Sequence, residues 1–133
     1  MLVYDATCGF CAASVRFVLR RDRQRTLRFA PLQGEFGRAV LARHPELVGI
    51  DSMLWLSPAV GGGEVVSIRS DAALAAAAHL GGMWRLAAAA ARLVPRAPRD
   101  RAYRLIARHR HRLPGAGEAC YVPSAEDRGR FLD

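Results

Sequence analysis

Two cysteines separated by two residues, Cys8-Gly9-Phe10-Cys11, stand within the first dozen positions, between a short apolar run and a segment of helical periodicity. The run Leu2-Val3-Tyr4 reads as a buried strand. From Cys11 onward Val15, Phe17, Val18 and Leu19 lie inside a helix that ends in Arg20, Arg21 and Arg23. Cations suit a helix C-terminus, where the macrodipole is negative. Cys8 to Phe10 is then the turn from strand to helix, with Cys8 where the helix begins and Cys11 one turn inside. Leu27-Arg28-Phe29-Ala30 reads as a second strand, stopped by Pro31. Strand, helix and strand within about 30 residues make a βαβ unit, which implies a parallel pair and a right-handed crossover.

The pattern continues with a helix from Glu35 to His44, ended before Pro45. Met53-Leu54-Trp55-Leu56 is a third strand, Pro58 to Gly63 a turn, and Glu64 to Ile68 a fourth strand. So short a link makes the last pair an antiparallel hairpin. Ser70 caps a helix from about Asp71 to Leu80, with Gly81 as its stop. The order β-α-β-α-β-β-α is that of the thioredoxin fold, in the α/β class. Beyond Gly82 the chain stays helical, over Trp84 to Val94 and roughly Arg99 to Arg112, with Pro95 and Pro98 between. Leu113 to Pro123 reads as loop, and Ser124 to Asp127 resembles a capping box opening a last short turn. The expectation is a single domain: a thioredoxin-like core over about residues 1–82 and a helical C-terminal extension over about 83–133 packed on it.

A chain of 133 residues, 51% hydrophobic, suffices for one core. Three cysteines are too few for a disulfide-stapled scaffold. The N-terminus has neither a basic region nor a long apolar run, so no signal peptide is read. The most apolar zone, Ala72 to Val94, is cut by Gly81-Gly82 and carries His79, Arg85 and Arg92, so no membrane span is expected. The default compartment is a cytoplasmic, reducing one, where a close cysteine pair is more often catalytic or metal-binding than structural.

The cysteine pair carries the chemistry. At a helix start, free backbone N–H groups and the positive dipole end stabilise a thiolate, which lowers a thiol from about 8.5 towards roughly 3.5–7.5. Cys8, expected to combine that position with exposure, would attack a substrate disulfide. Cys11, on the same face, would displace the product and close the ring. Half of a zinc site and two uninvolved thiols are the alternatives. A zinc site needs two more ligands from His109, His111 and Cys120, which do not form a paired spacing, so no metal is expected. Cys120 reads as an inert or partly buried thiol, and His44 and His79 as surface or core-edge residues.

The opening Val3-Tyr4-Asp5-Ala6-Thr7-Cys8-Gly9-Phe10-Cys11 resembles the signature of the DCC family, named for its Asp-x-x-Cys-x-x-Cys motif. The resemblance runs on through Leu27-Arg28-Phe29-Ala30-Pro31-Leu32-Gln33, Arg69-Ser70-Asp71-Ala72, Leu80-Gly81-Gly82-Met83-Trp84 and Arg99-Asp100-Arg101-Ala102-Tyr103-Arg104 to Ala119-Cys120. It implies a thioredoxin-like thiol–disulfide oxidoreductase of a mostly bacterial family, with Asp5, Cys8 and Cys11 as motif residues. No cofactor is expected, and the expected substrate is a protein or low-molecular-weight disulfide or thiol. Ala6-Thr7 replace the Gly-Asp expected between the motif Asp and the first Cys. Gly49-Ile50-Asp51-Ser52, before the third strand, lacks the proline of thioredoxins.

Asp5 has two readings: a base that accepts a proton from Cys11, or a cap that binds the N–H groups of the loop. Phe10 contacts substrate or packs. By position alone, Arg69, Ser70 and Asp71 at the start of the third helix form a thiol-ligand subsite, the alternative being an ordinary N-cap. Trp55, Trp84 and Tyr103 read as core.

All twenty basic residues are Arg, against twelve acids, for a net charge of +8. Residues 84–113 hold nine Arg and one acid, Asp100. On a helix Arg101, Arg104, Arg108 and Arg112 share one face, with Ala102, Leu105, Ile106 and His109 towards the other. A non-redox interaction module that binds an anionic partner through these helices is the rival reading. The favoured reading is a solvated face with no nucleic-acid partner, because no stacking aromatics accompany the arginines.

Overall fold

The computed structural model describes residues 1–50, 52–109, 112 and 122–133. Four strands, β1 (Leu2–Tyr4), β2 (Phe29–Pro31), β3 (Leu54–Pro58) and β4 (Glu64–Ile68), form one sheet in the order β2-β1-β3-β4. β1 and β2 run parallel, with Val3 opposite Ala30. β3 is antiparallel to both β1 and β4. The helices are α1 (Gly9–Arg21), α2 (Glu35–Arg43), α3 (Arg69–Leu80), α4 (Gly82–Ala91) and α5 (Arg96–Arg108). The order and pairing are those of a thioredoxin-like fold.

Strand side chains alternate between faces, and the core divides accordingly. Leu2, Tyr4, Phe29 and Trp55 meet Cys11, Val15 and Val18 of α1 and Ala72 and Ala76 of α3. Val3, Ala30, Leu54 and Leu56 meet Val40 of α2 and Leu47 beyond it. α2 comes so close to the end of β2 that a Cβ on Gly37 would lie 2.3 Å from the Pro31 carbonyl oxygen, so only glycine fits.

Several element ends differ from the sequence expectation. Pro31 does not stop β2 but is its last residue, opposite Tyr4. Proline is tolerated on such an edge strand, and the next ladder bond is donated by Leu32 N–H to the Tyr4 carbonyl at 2.8 Å. Pro98 lies inside the first turn of α5, where a missing N–H costs nothing. Ser70 is not the cap of α3. The helix begins at Arg69, whose φ of 52° is left-handed and whose N–H donates to Ser52 Oγ at 2.7 Å. The Ser70 hydroxyl turns instead to Asp100 of α5.

The end of the chain does more than add helix. Asp22, the buried C-cap of α1, accepts from Leu27 N–H at 3.0 Å and from the guanidinium of Arg130. Arg130 also donates to the Leu27 carbonyl at 3.1 Å. Phe131 then bridges Phe29 in parallel and stacks on it at 5.2 Å, while Leu132 N–H donates to the Phe29 carbonyl at 2.8 Å. Residues 130–132 thereby cover the outer edge of β2. Ser124 Oγ donates to the Asp127 carboxylate at 2.9 Å instead of accepting from a backbone N–H, so the expected capping box is not made.

α4 and α5 both pack on α3. Asp71 holds Arg96 at 2.6 Å and Arg99 at 3.1 Å. Among the described residues no helix is long and apolar enough to cross a membrane.

Candidate functional site

Parallel β1 delivers the chain to the start of α1, and the two cysteines occupy that junction. Cys8 is the N-cap, with extended backbone, and its carbonyl accepts the first helical bond from Ala12 N–H at 3.0 Å. Gly9 and Phe10 already belong to the helix, so the expected Cys8 to Phe10 turn is shorter than the sequence indicated. Cys11 follows one turn on. Both sulfurs belong to the core: Cys8 is 7% exposed and Cys11 5%. The expectation of an exposed Cys8 is therefore corrected. The loop 5–8 folds down on Gln33, and the apolar side chains around α1 close over the pair.

Both cysteines are free thiols, one helical turn apart. Burial pushes the Cys11 thiol up to about 12, and the neighbouring Cys8 thiol, with the charge it can carry, adds to the rise. A backbone hydrogen bond from Asp5 acts in the opposite direction, while the nearby Asp5 carboxylate adds a smaller upward push. Cys11 therefore keeps its proton at neutral pH.

Asp5 Oδ1 accepts from Thr7 N–H at 2.8 Å, Thr7 Oγ1 at 2.7 Å and Gln33 Nε2 at 2.7 Å. Gln33 Oε1 in turn accepts from Ala6 N–H at 3.1 Å, and Cys8 N–H donates to the Asp5 carbonyl at 3.2 Å. Asp5 therefore shapes the loop that carries Cys8, and its charge also reaches Cys11. Neither Ala6 nor Thr7 takes a left-handed conformation, so the loop needs no glycine there. Sequence reasoning assigned no role to Thr7 or Gln33. The signal for Gln33 was its place just past β2, at the same sheet end as the cysteines.

Phe10 is half-buried and packs against the core cluster. Arg69, Ser70 and Asp71 stand at the start of α3, and α5 occupies the side chains of the last two: Ser70 binds Asp100, and Asp71 binds Arg96 and Arg99. The Ser70 hydroxyl, with the charges of Arg69 and Arg96 behind it, holds the Asp100 carboxyl below its ordinary range. Ser52 Oγ donates to the Met53 carbonyl at 2.8 Å and lies 3.4 Å from the half-buried Tyr103 hydroxyl. Trp55 is core, as expected, but Trp84 is largely exposed and meets Phe17 edge-on at 5.2 Å.

His79 lies at the core edge, Nε2 3.3 Å from Thr26 Oγ1 and 3.6 Å from Asp22. His44 sits between Glu46 and Glu64. Among the described residues no group of three His, Cys, Asp or Glu side chains is placed to hold a metal ion. Cys120 and His111 lie outside the described residues, and His109 Nδ1 is 2.9 Å from the Leu105 carbonyl.

The sheet order, with a Cys-x-x-Cys pair at the start of the first helix, defines a dithiol protein of the thioredoxin-like class. Over residues 2–116 the chain matches the family described as DCC1-like thiol-disulfide oxidoreductase, and it belongs to that family. It is 32% identical over 133 residues to the uncharacterized protein YuxK of Bacillus subtilis (strain 168), covering 99% of this chain and 93% of that one. It is 40% identical over 43 residues to the chloroplastic DCC family protein At1g52590 of Arabidopsis thaliana, which is 32% of this chain and 25% of the relative. No solved structure matches the chain.

Proposed function

We propose that this protein is a thiol–disulfide oxidoreductase of the disulfide-reducing kind, with Cys8 as nucleophile and Cys11 as resolving thiol. The observation that carries the reading is the pair of free thiols one helical turn apart at the N-terminus of α1, with Cys8 at the cap. Cys8 stands at the cap, where the free N–H groups of the helix favour an anion. Its thiolate attacks one sulfur of a protein or small-molecule disulfide. A Cys8–substrate S–S bond forms, the substrate S–S bond breaks, and the leaving thiolate takes a proton.

Cys11 then loses its proton and attacks Cys8 Sγ. The second substrate thiol departs, and the protein holds a Cys8–Cys11 disulfide. The substrate has gained two electrons and the protein has lost two; a thiol reductant restores the dithiol. In the second step Asp5 receives the Cys11 proton directly or through water, a task suited to a carboxylate beside a thiol that ionises only above neutral pH. Burial of both sulfurs makes opening of the loop 5–8 part of the cycle, and Phe10, at its edge, becomes the side chain that meets substrate.

Cys11→Ser accumulates a mixed disulfide on Cys8, identifiable by mass spectrometry, and Cys8→Ser abolishes exchange. Mixed disulfides on Cys11 in a Cys8→Ser variant, or equal alkylation of the two thiols at neutral pH, would reverse the assignment.

A further inference from the structure

α4 turns its more apolar side away from the protein. Ala88 is its buried contact and Ala91 is half-buried. At about 100° per residue, Leu86 lies roughly opposite Ala88. Met83, Leu86 and Leu93, the last in the turn after α4, are 83%, 71% and 87% exposed. The exposed alanines 89 and 90 continue this surface.

Its surroundings carry one sign of charge. Arg85 and Arg92 lie along one flank of α4. At its N-terminal end a cleft of ≈ 580 Å³ is lined by Arg20, Arg21 and Arg23 from the end of α1 and by Met83 and Trp84. Among the described residues Arg20, Arg23, Arg85 and Arg92 have no carboxylate partner. The acid in that cleft, Asp22, is buried and held by Arg130.

We propose that α4 docks the protein on the surface of an anionic phospholipid bilayer. Met83, Leu86 and Leu93 enter the headgroup boundary, while Arg20, Arg23, Arg85 and Arg92 meet lipid phosphates. An exposed apolar helix face flanked by arginine is what such a surface selects. A second copy packed on this same face would cover the apolar side chains but bring only further arginines to Arg20, Arg23, Arg85 and Arg92. A soluble acidic polymer would satisfy the arginines and leave the three large apolar side chains in water. The dithiol is not required for docking, so the proposal stands apart from the redox assignment.

The test is co-sedimentation of the full chain with phosphatidylcholine vesicles containing or lacking phosphatidylglycerol. The expected result is binding to the phosphatidylglycerol vesicles alone, weakened by salt. Leu86→Ser with Leu93→Ser lowers partitioning at least about tenfold through lost apolar burial. Arg85→Gln with Arg92→Gln lowers it about 30-fold. Thermal unfolding and disulfide exchange remain unchanged in both variants, because these side chains are exposed. Three results would each overturn the proposal: no binding to anionic vesicles; binding that survives both leucine substitutions and is matched by a soluble polyanion such as polyglutamate or RNA; or a concentration-dependent dimer that the leucine variant dissolves.

Discussion

On the sheet, Leu2, Val3, Phe29 and Ala30 are sealed from water, whereas in α4 and α5 together only Ala88 is buried. The sheet region is joined by apolar side chains from three helices that interlock on both faces. The α4–α5 layer meets it through one small buried side chain, an aromatic edge between Trp84 and Phe17, and polar links: Ser70 to Asp100, Asp71 to Arg96 and Arg99, and Ser52 to Tyr103. Apolar burial stabilises in proportion to area, while half-solvated ion pairs contribute little. The two regions should therefore differ in stability. The dithiol lies in the firm one, and the docking face of α4 in the loose one.

The largest effect that sharpens this contrast is expected at Phe29, fully buried between Arg130 and the sheet and stacked on Phe131. Phe29→Ala should cost about 3–5 kcal/mol in a denaturant titration, through lost transfer energy and a cavity. A loss no larger than that of an α5 substitution would erase the distinction.

The dithiol gives the next effect. Burial raises the Cys11 thiol in the folded chain from 9.0 to about 12. The unfolded chain then releases this proton first as pH rises, so the contribution to stability is whole below pH 9 and is lost as pH climbs towards 12. The wild type should lose on the order of 1 kcal/mol more than Cys11→Ser between pH 9 and 10. Identical alkaline profiles would mean that Cys11 is not buried as a protonated thiol.

On the other side of the comparison, Asp71→Ala frees Arg96 and Arg99 together. The expected loss is about 1 kcal/mol or less, since Arg96 is mostly exposed. Its signature is local: amide hydrogens of α5 should exchange faster while those of β1 and β3 do not change. Uniform acceleration would show that α5 and the sheet open as one unit.

The same contrast explains what was legible in the sequence. The strands, α1 and α2 were readable because their apolar spacing matches a face that is buried, and the cysteine spacing falls at the one strand–helix junction where it has chemical meaning. Cys8 was misjudged as exposed because spacing places a residue on a helix but says nothing of what a folded loop covers. Ser70 was read as a cap because Ser-Asp before an alanine run is the local signal. The tertiary partner Asp100, thirty residues away, overrides it. The pairing of Phe131 with Phe29 and of Arg130 with Asp22 spans more than a hundred residues and has no local pattern at all. On α5 the arginine face was legible, with Leu105 and Ile106 towards the other face. They are exposed, and Asp100, Tyr103 and Ala107 are half-buried instead, because the polar links at Asp71 and Ser70 set the rotation of the helix.

The smallest effect tests that rotation. Asp100 is held below the ordinary carboxylate range first by the Ser70 hydroxyl, with Arg69 and Arg96 adding to it. A depressed carboxyl contributes stability that is present above its unfolded value, about 3.9, and lost as pH falls through its lower folded value. Asp100 is only half-buried, so solvent screens its bond to Ser70 and the contribution is about a few tenths of a kcal/mol rather than the full worth of a charged hydrogen bond. Ser70→Ala should therefore be slightly less stable than the wild type at pH 7, and the gap should close as pH falls from about 3.9 through the lower folded value, until Asp100 is protonated in both proteins. Denaturant midpoints of the two proteins from pH 7 to pH 3 measure this directly. Curves that stay parallel to the acid end would show that Ser70 acts through packing in α3, and that its hydroxyl does not hold α5 in place.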